Sequence, residues 1–211
     1  MATSNNEPKA LQSSSEIMKR FVLGILLILG SVWMVSAQYA VAGASPVLTF
    51  GDPKAPNRIE AFYDFQCGEC VHFHESVKKL MARHPDTVFV IFRHFPLSTH
   101  SQAFMASSVV EAAKRQGKGI EMIGLLLDEQ SRWSTSPQPF QVILEFAGRL
   151  KLDIPRFRND VNSDDVVRSV VLDMSRGKRL GVTAIPAVYL NDRLLTFPEA
   201  AELEQTISKG N

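Results

Sequence analysis

Cysteine is nearly absent, with two in 211 residues. So few exclude a small scaffold stapled by several disulfides. Excess charge of either sign is also missing, because 23 basic residues face 22 acidic ones for a formal net charge of +1. No positive field remains to hold a phosphate backbone, so nucleic acid is not an expected partner. Neither an internal repeat nor a low-complexity tract occurs, which argues against a solenoid or a biased tail. What is present, at 45% hydrophobic and 21% charged residues, suits one good core. Without its N-terminal segment the chain leaves about 165 residues, enough for a single domain.

Charge disappears altogether from Phe21 to Gly51. Within that run Phe21 to Ala37 is apolar enough to enter a bilayer, and Lys19 and Arg20 directly precede it. That order keeps the polar leader 1–20 in the cytoplasm and exports the rest of the chain. Residues 21–44 therefore read as a transmembrane anchor or as a signal peptide cleaved near 42–44. Ala40-Val41-Ala42 and Ala42-Gly43-Ala44 offer small-x-small cleavage sites, whereas a leader of about twenty residues is long for a signal peptide. A buried core helix fits less well, since the run has no polar face.

Residues 45–57 carry three prolines and turn residues and read as a connector, with a short strand at Val47 to Phe50. The domain proper is expected over 58–211. Arg58 to Phe65 is β-rich and leads directly into Cys67-Gly68-Glu69-Cys70, after which Val71 to Arg83 repeats apolar positions at helical spacing. Thr87 to Phe92 is a nearly all-apolar strand, as expected where both faces of a sheet are covered. Five helices then come at Ser101 to Gln116, Ile120 to Gln130, Gln138 to Lys151, Pro155 to Val161 and Asp164 to Arg179, with Ser163 as the last N-cap. Ala187 to Leu190 and Leu194 to Phe197 read as a hairpin around Asn191-Asp192, and Pro198 opens a closing helix to Lys209.

A cysteine between strand and helix meets unpaired backbone N–H groups, which favour thiolate over thiol. Cys67 occupies that place. Cys70 lies one turn further, on the same face and more shielded, which suits a resolving role. Export would put this pair where disulfide chemistry is useful.

Three stretches now carry a resemblance. Asp64-Phe65-Gln66-Cys67-x-x-Cys70, then Phe92-Arg93-His94-Phe95-Pro96-Leu97 with His100, and Gly181-Val182-Thr183-Ala184-Ile185-Pro186 before a strand resemble the signatures of DsbA-like thioredoxin-domain proteins, in matching order and spacing. The likeness runs from about Pro46 to Ile207 and includes the helical insertion, at about 99–180. It implies an α/β thioredoxin fold with an inserted helical subdomain, preceded here by one N-terminal hydrophobic segment. It also implies thiol-disulfide oxidoreductase activity through Cys67 and Cys70, with thiol-containing exported proteins as substrates and a membrane redox partner that recycles the pair. Pro186 is then expected to be cis and to lie against the cysteines, with the backbone of Ile185 binding an extended substrate segment.

Two positions depart from the family pattern. Many relatives bury an acid six positions before the first cysteine as a proton acceptor, whereas here that position is Ala61 and strand alternation turns the neighbouring Glu60 to the opposite face. Between the cysteines, Gly68 and Glu69 replace the proline and histidine of strongly oxidising members. Glu69 then either supplies the missing proton acceptor or is a solvated glutamate at a helix start.

Histidines allow another chemistry. His72 or His74 with Cys67 and Cys70 could form a zinc or copper site, but residues two apart on a helix point differently and three ligands leave a tetrahedral set incomplete. His94 and His100 are expected to be structural, and His84 to lie at the surface. No cofactor is expected. Besides an oxidase, a disulfide reductase or isomerase on the same scaffold and a metal-binding module remain as readings.

Overall fold

The computed structural model describes residues 48–196 and 202–209. The leader and the hydrophobic segment 21–44 lie outside the described residues, as do Pro198 and the expected cleavage sites. Among the described residues no helix is long and apolar enough to cross a membrane.

Five strands form one sheet: β1 (Leu48–Phe50), β2 (Asn57–Tyr63), β3 (Val88–His94), β4 (Ala187–Leu190) and β5 (Arg193–Leu194), in the order β1-β3-β2-β4-β5. β2 and β3 run parallel, which requires a crossover, and helix α1 (Gly68–Arg83) supplies it. β1, inside the expected connector, joins the edge antiparallel to β3 with Leu48 opposite Phe92. β4 pairs antiparallel with β2, Ala187 opposite Phe62.

Six helices, one more than expected, fill the interval between β3 and β4. They are α2 (Ala103–Lys114), α3 (Gly119–Asp128), α4 (Gln130–Ser134), α5 (Pro139–Arg149), α6 (Ile154–Val161) and α7 (Asp164–Arg179). The extra one, α4, is a single short turn whose Trp133 is fully buried and donates from Nε1 to the Leu126 carbonyl at 2.7 Å. Five residues are too few for a periodic signal. Asp153 and Ser163 cap α6 and α7 by accepting from the amides of Arg156 and Val166. α8 (Leu203–Lys209) closes the described chain.

The core follows from strand alternation. Ile59, Ala61 and Tyr63 of β2 enter the large cluster that includes Phe73, Val77 and Leu80 of α1. Phe62 points to the other face, where it meets Phe95, Val182 and Tyr189. α7 crosses that second face, and Gly177 is what lets it approach: a Cβ there would stand 2.6 Å from Phe95 and 3.0 Å from Phe62.

Several expected boundaries shift for physical reasons. β2 stops at Tyr63 because Asp64 turns the chain, although Phe65 remains buried. β3 runs on to His94 rather than ending at Phe92, since the polar side chains of Arg93 and His94 are buried and paired. The hairpin turn at Asn191-Asp192 has φ of 48° and 67°, as a two-residue type I′ turn requires, so its second strand starts at Arg193 rather than Leu194.

Candidate functional site

At one end of the sheet, β2 delivers Asp64, Phe65 and Gln66 into Cys67, the N-cap of α1. Asp64 is fully buried, and its carboxylate fixes this corner. Oδ1 accepts from the Gln66 amide at 2.7 Å, while Oδ2 accepts from the Leu97 amide at 2.8 Å and lies 2.7 Å from His100 Nδ1. The Asp64 carbonyl accepts from the Cys67 amide at 3.1 Å. Gln66 Oε1 accepts in turn from the Gln102 amide at 2.8 Å. The second signature stretch is thus tied to the first through Asp64. His100 also lines a surface groove with Phe95, Leu97, Phe104 and Met174.

A further tie has no signal in the sequence. Gln130, which opens α4, donates from Nε2 to the carbonyls of Phe65 at 2.9 Å and Cys67 at 3.0 Å. Its helix is the one without a periodic pattern, and nothing local marks a glutamine as a partner of residues 65 and 67.

Cys67 is partly exposed and Cys70 buried, both as free thiols. The hydrogen bond from the Cys70 thiol is the largest influence on Cys67. With the amides of Cys70 and Glu69 it outweighs the opposing effect of burial and lowers the Cys67 thiol to about 6. Cys70 is driven the other way, first by burial and then by its bond to Cys67. Glu69 acts on Cys67 through its backbone amide, and its side chain is exposed, as is Gly68.

The third signature stretch arrives by register. Phe62 faces Ala187, so Pro186 and Ile185 continue alongside the end of β2, where the cysteine turn begins. Ile185-Pro186 is cis, and Ile185 packs against both apolar clusters.

Glu60 is buried on the sheet face opposite Ala61. It accepts from Arg93 Nε at 2.8 Å and from Arg176 Nε and Nη2 at 2.6 and 2.7 Å. Arg93 also donates to Asp173 Oδ1 at 2.9 Å, so the network bolts α7 to the sheet. Burial opposes the charge on Glu60, but the two arginines prevail and hold its carboxyl below the usual range. His94 is fully buried with Nε2 3.0 Å from Glu111 Oε1, and its ring meets Phe65 edge-on. His84, expected at the surface, has a part-exposed side chain whose Nε2 lies 3.0 Å from Glu204 Oε1. His72 is exposed and His74 buried. Among the described residues no group of three or more His, Cys, Asp or Glu is placed to hold a metal ion.

The thioredoxin family model matches residues 44–209. The chain is 30% identical over 144 residues to the Na(+)/H(+) antiporter NhaA 3 of Salinispora tropica, covering 68% of this chain but 21% of that protein. It therefore spans about a fifth of that relative's length. It is 25% identical over 172 residues to the "Probable disulfide bond formation protein D" of Bacillus cereus, covering 76% of this chain and 77% of that one. Of solved structures, alpha-DsbA1 of Wolbachia pipientis superposes with a TM-score of 0.67 at 21% identity, over 78% of this chain and 90% of that one. At that identity the likeness concerns the fold.

Proposed function

This chain belongs to the thioredoxin family, and from that premise we propose that it is an extracytoplasmic thiol-disulfide oxidoreductase that forms disulfides in exported proteins through Cys67 and Cys70. One observation carries the reading. A partly exposed cysteine caps a helix with its thiol lowered to about 6, and a buried cysteine stands one turn behind it. In the oxidised pair, a substrate thiolate attacks Cys67, forming a mixed disulfide and expelling Cys70 as the leaving thiolate. A second substrate thiolate then attacks the mixed disulfide, which leaves the substrate oxidised and the pair reduced. A membrane redox partner would reoxidise it.

Ile185 and Pro186 are the proposed substrate-binding residues, because the register puts them beside the cysteine turn where an extended segment can align. Residues 21–44 would hold the domain on the outer face of the membrane, or be removed as a signal peptide, and Lys19-Arg20 sets the orientation in either case. N-terminal sequencing of the mature protein separates the two.

The direction of catalysis is tested by incubating the oxidised protein with a reduced, unfolded disulfide protein and following native refolding. The expected result is stoichiometric disulfide transfer that Cys67→Ser abolishes. Reduction of insulin without any such transfer would support the reductase reading instead.

A further inference from the structure

Asp64 and Cys67 belong to one tight turn. The Cys67 amide donates to the Asp64 carbonyl at 3.1 Å, and the Asp64 side chain folds back so that Oδ1 accepts from the Gln66 amide at 2.7 Å. Gln66 is bonded to Cys67, which puts the carboxylate within about 7 Å of the Cys67 backbone nitrogen. A negative charge that close disfavours a thiolate, and this one is held in place because Asp64 is fully buried. The lowering of the Cys67 thiol to about 6 owes most to the Cys70 hydrogen bond, and the Asp64 charge works against it.

The other carboxylate oxygen, Oδ2, accepts from the Leu97 amide and stands 2.7 Å from His100 Nδ1. A carboxylate only accepts, so Nδ1 carries the hydrogen and a further proton can arrive only at Nε2. The His100 side chain is 29% exposed against 0% for Asp64, so its open edge is the one turned away from the carboxylate. That edge borders the groove of Leu97, Phe104 and Met174, within reach of water. The two residues together carry one negative charge with a neutral ring and none with an imidazolium.

We propose that Asp64 and His100 form a charge couple that sets the redox poise of the cysteine pair, with His100 taking up a proton from water when Cys67 becomes a thiolate. The inference rests on the oxidoreductase reading above, and both are positioning residues that act on the sulfurs through charge. Oxidation of a substrate dithiol releases two electrons and two protons. The electrons break the Cys67–Cys70 bond, and one proton goes to Cys70. Cys67 stays a thiolate, so the other proton passes to water, and Nε2 draws one in because the new charge has added to that of Asp64. When the membrane partner takes the two electrons back, Cys70 and Nε2 release their protons. The linkage is reciprocal, so the factor by which the thiolate favours the imidazolium is the factor by which the imidazolium favours the thiolate. Lys178 of α7 is the other charged side chain lining the groove, while Phe104 of α2 and Met174 of α7 bring no charge. The Lys178 charge is the same in both redox states and leaves the difference between them intact.

The test titrates the His100 ring by NMR in the full chain, oxidised and reduced, with its signal assigned by its absence from His100→Gln. Reduction should raise the proton affinity of His100 about threefold or more. His84, at the far end of α1, should titrate alike in both states. A merely structural hydrogen bond to Asp64 would leave His100 unmoved as well. His100→Gln keeps a donor for Asp64 and removes the charge. In glutathione buffers it should favour the oxidised pair by about threefold at about pH 6, and match wild type at about pH 8, where histidine is ordinarily neutral. Asp64→Asn should favour the reduced pair by up to about tenfold at about pH 8. If that variant does not fold, the wild-type titration still decides. A His100 midpoint equal in the two redox states, or a His100→Gln equilibrium equal to wild type at both pH values, overturns the couple alone. If wild type does not exchange with glutathione at all, the oxidoreductase reading fails and the couple falls with it.

Discussion

The side-chain amide of Gln130 stands 3.0 Å from the carbonyl oxygen of Cys67, joining residues 63 apart in sequence. The inserted helices therefore do more than cover the sheet, because one of them holds the turn from which α1 starts.

Gln130→Ala removes two hydrogen bonds to part-buried carbonyls. The expected loss is roughly 1 to 2 kcal/mol of stability, measured by urea unfolding. The cysteine turn should also loosen, so the rate of Cys67 alkylation should change while Cys70 stays protected.

Alkylation of reduced protein should reach half its maximal rate near pH 6, the value to which Cys67 is lowered. Below it the thiol is protonated and slow, above it the thiolate is fast. Cys70→Ala removes the largest stabilising contact, so the midpoint should move upward. It should stay below that of a free thiol, because the backbone amides of Glu69 and residue 70 remain.

Glu60→Gln should destabilise the protein by about 3 kcal/mol or more, since two guanidinium groups lose their shared buried carboxylate. Guanidinium chloride unfolding checks this. A loss under about 1 kcal/mol would mean that Arg93 and Arg176 find other partners.

How far these features could be read in advance differs by element. The strands and helices around the core were legible because apolar periodicity reports burial directly, as at Ile59, Ala61 and Tyr63. Polar residues hid the end of β3, which the apolar run places at Phe92, whereas Arg93 and His94 continue the strand as buried partners of Glu60, Asp173 and Glu111. The two cysteines and Pro186 were visible in local motifs. Gln130 was not, because its partners lie far away in sequence and a glutamine at a helix start is ordinary.

His74 makes acid stability testable. Its folded value is about 4 against an ordinary 6.5, so between these pH values the unfolded chain binds a proton that the folded one does not. Stability should therefore fall as pH drops from 6.5 to 4, by at most about 3 kcal/mol from this group. His74→Phe should flatten that part of the profile in urea unfolding.

Glu69→His tests the charge between the cysteines. The side chain at 69 is exposed and screened, so the substitution should shift the Cys67–Cys70 potential toward oxidising by no more than about 30 mV, a tenfold change in the equilibrium. Equilibration of both proteins with glutathione buffers gives the value. A shift toward reducing would refute the electrostatic argument.

Gly177 has a consequence for variation. It touches neither cysteine and sits mid-helix, where alanine normally strengthens a helix by up to about 1 kcal/mol. Here even one methyl would meet the rings of Phe95 and Phe62. In a saturation library selected for folding, position 177 should stay closed to every other residue, alanine included. It would open only in clones that also trim Phe95, the nearer of the two rings.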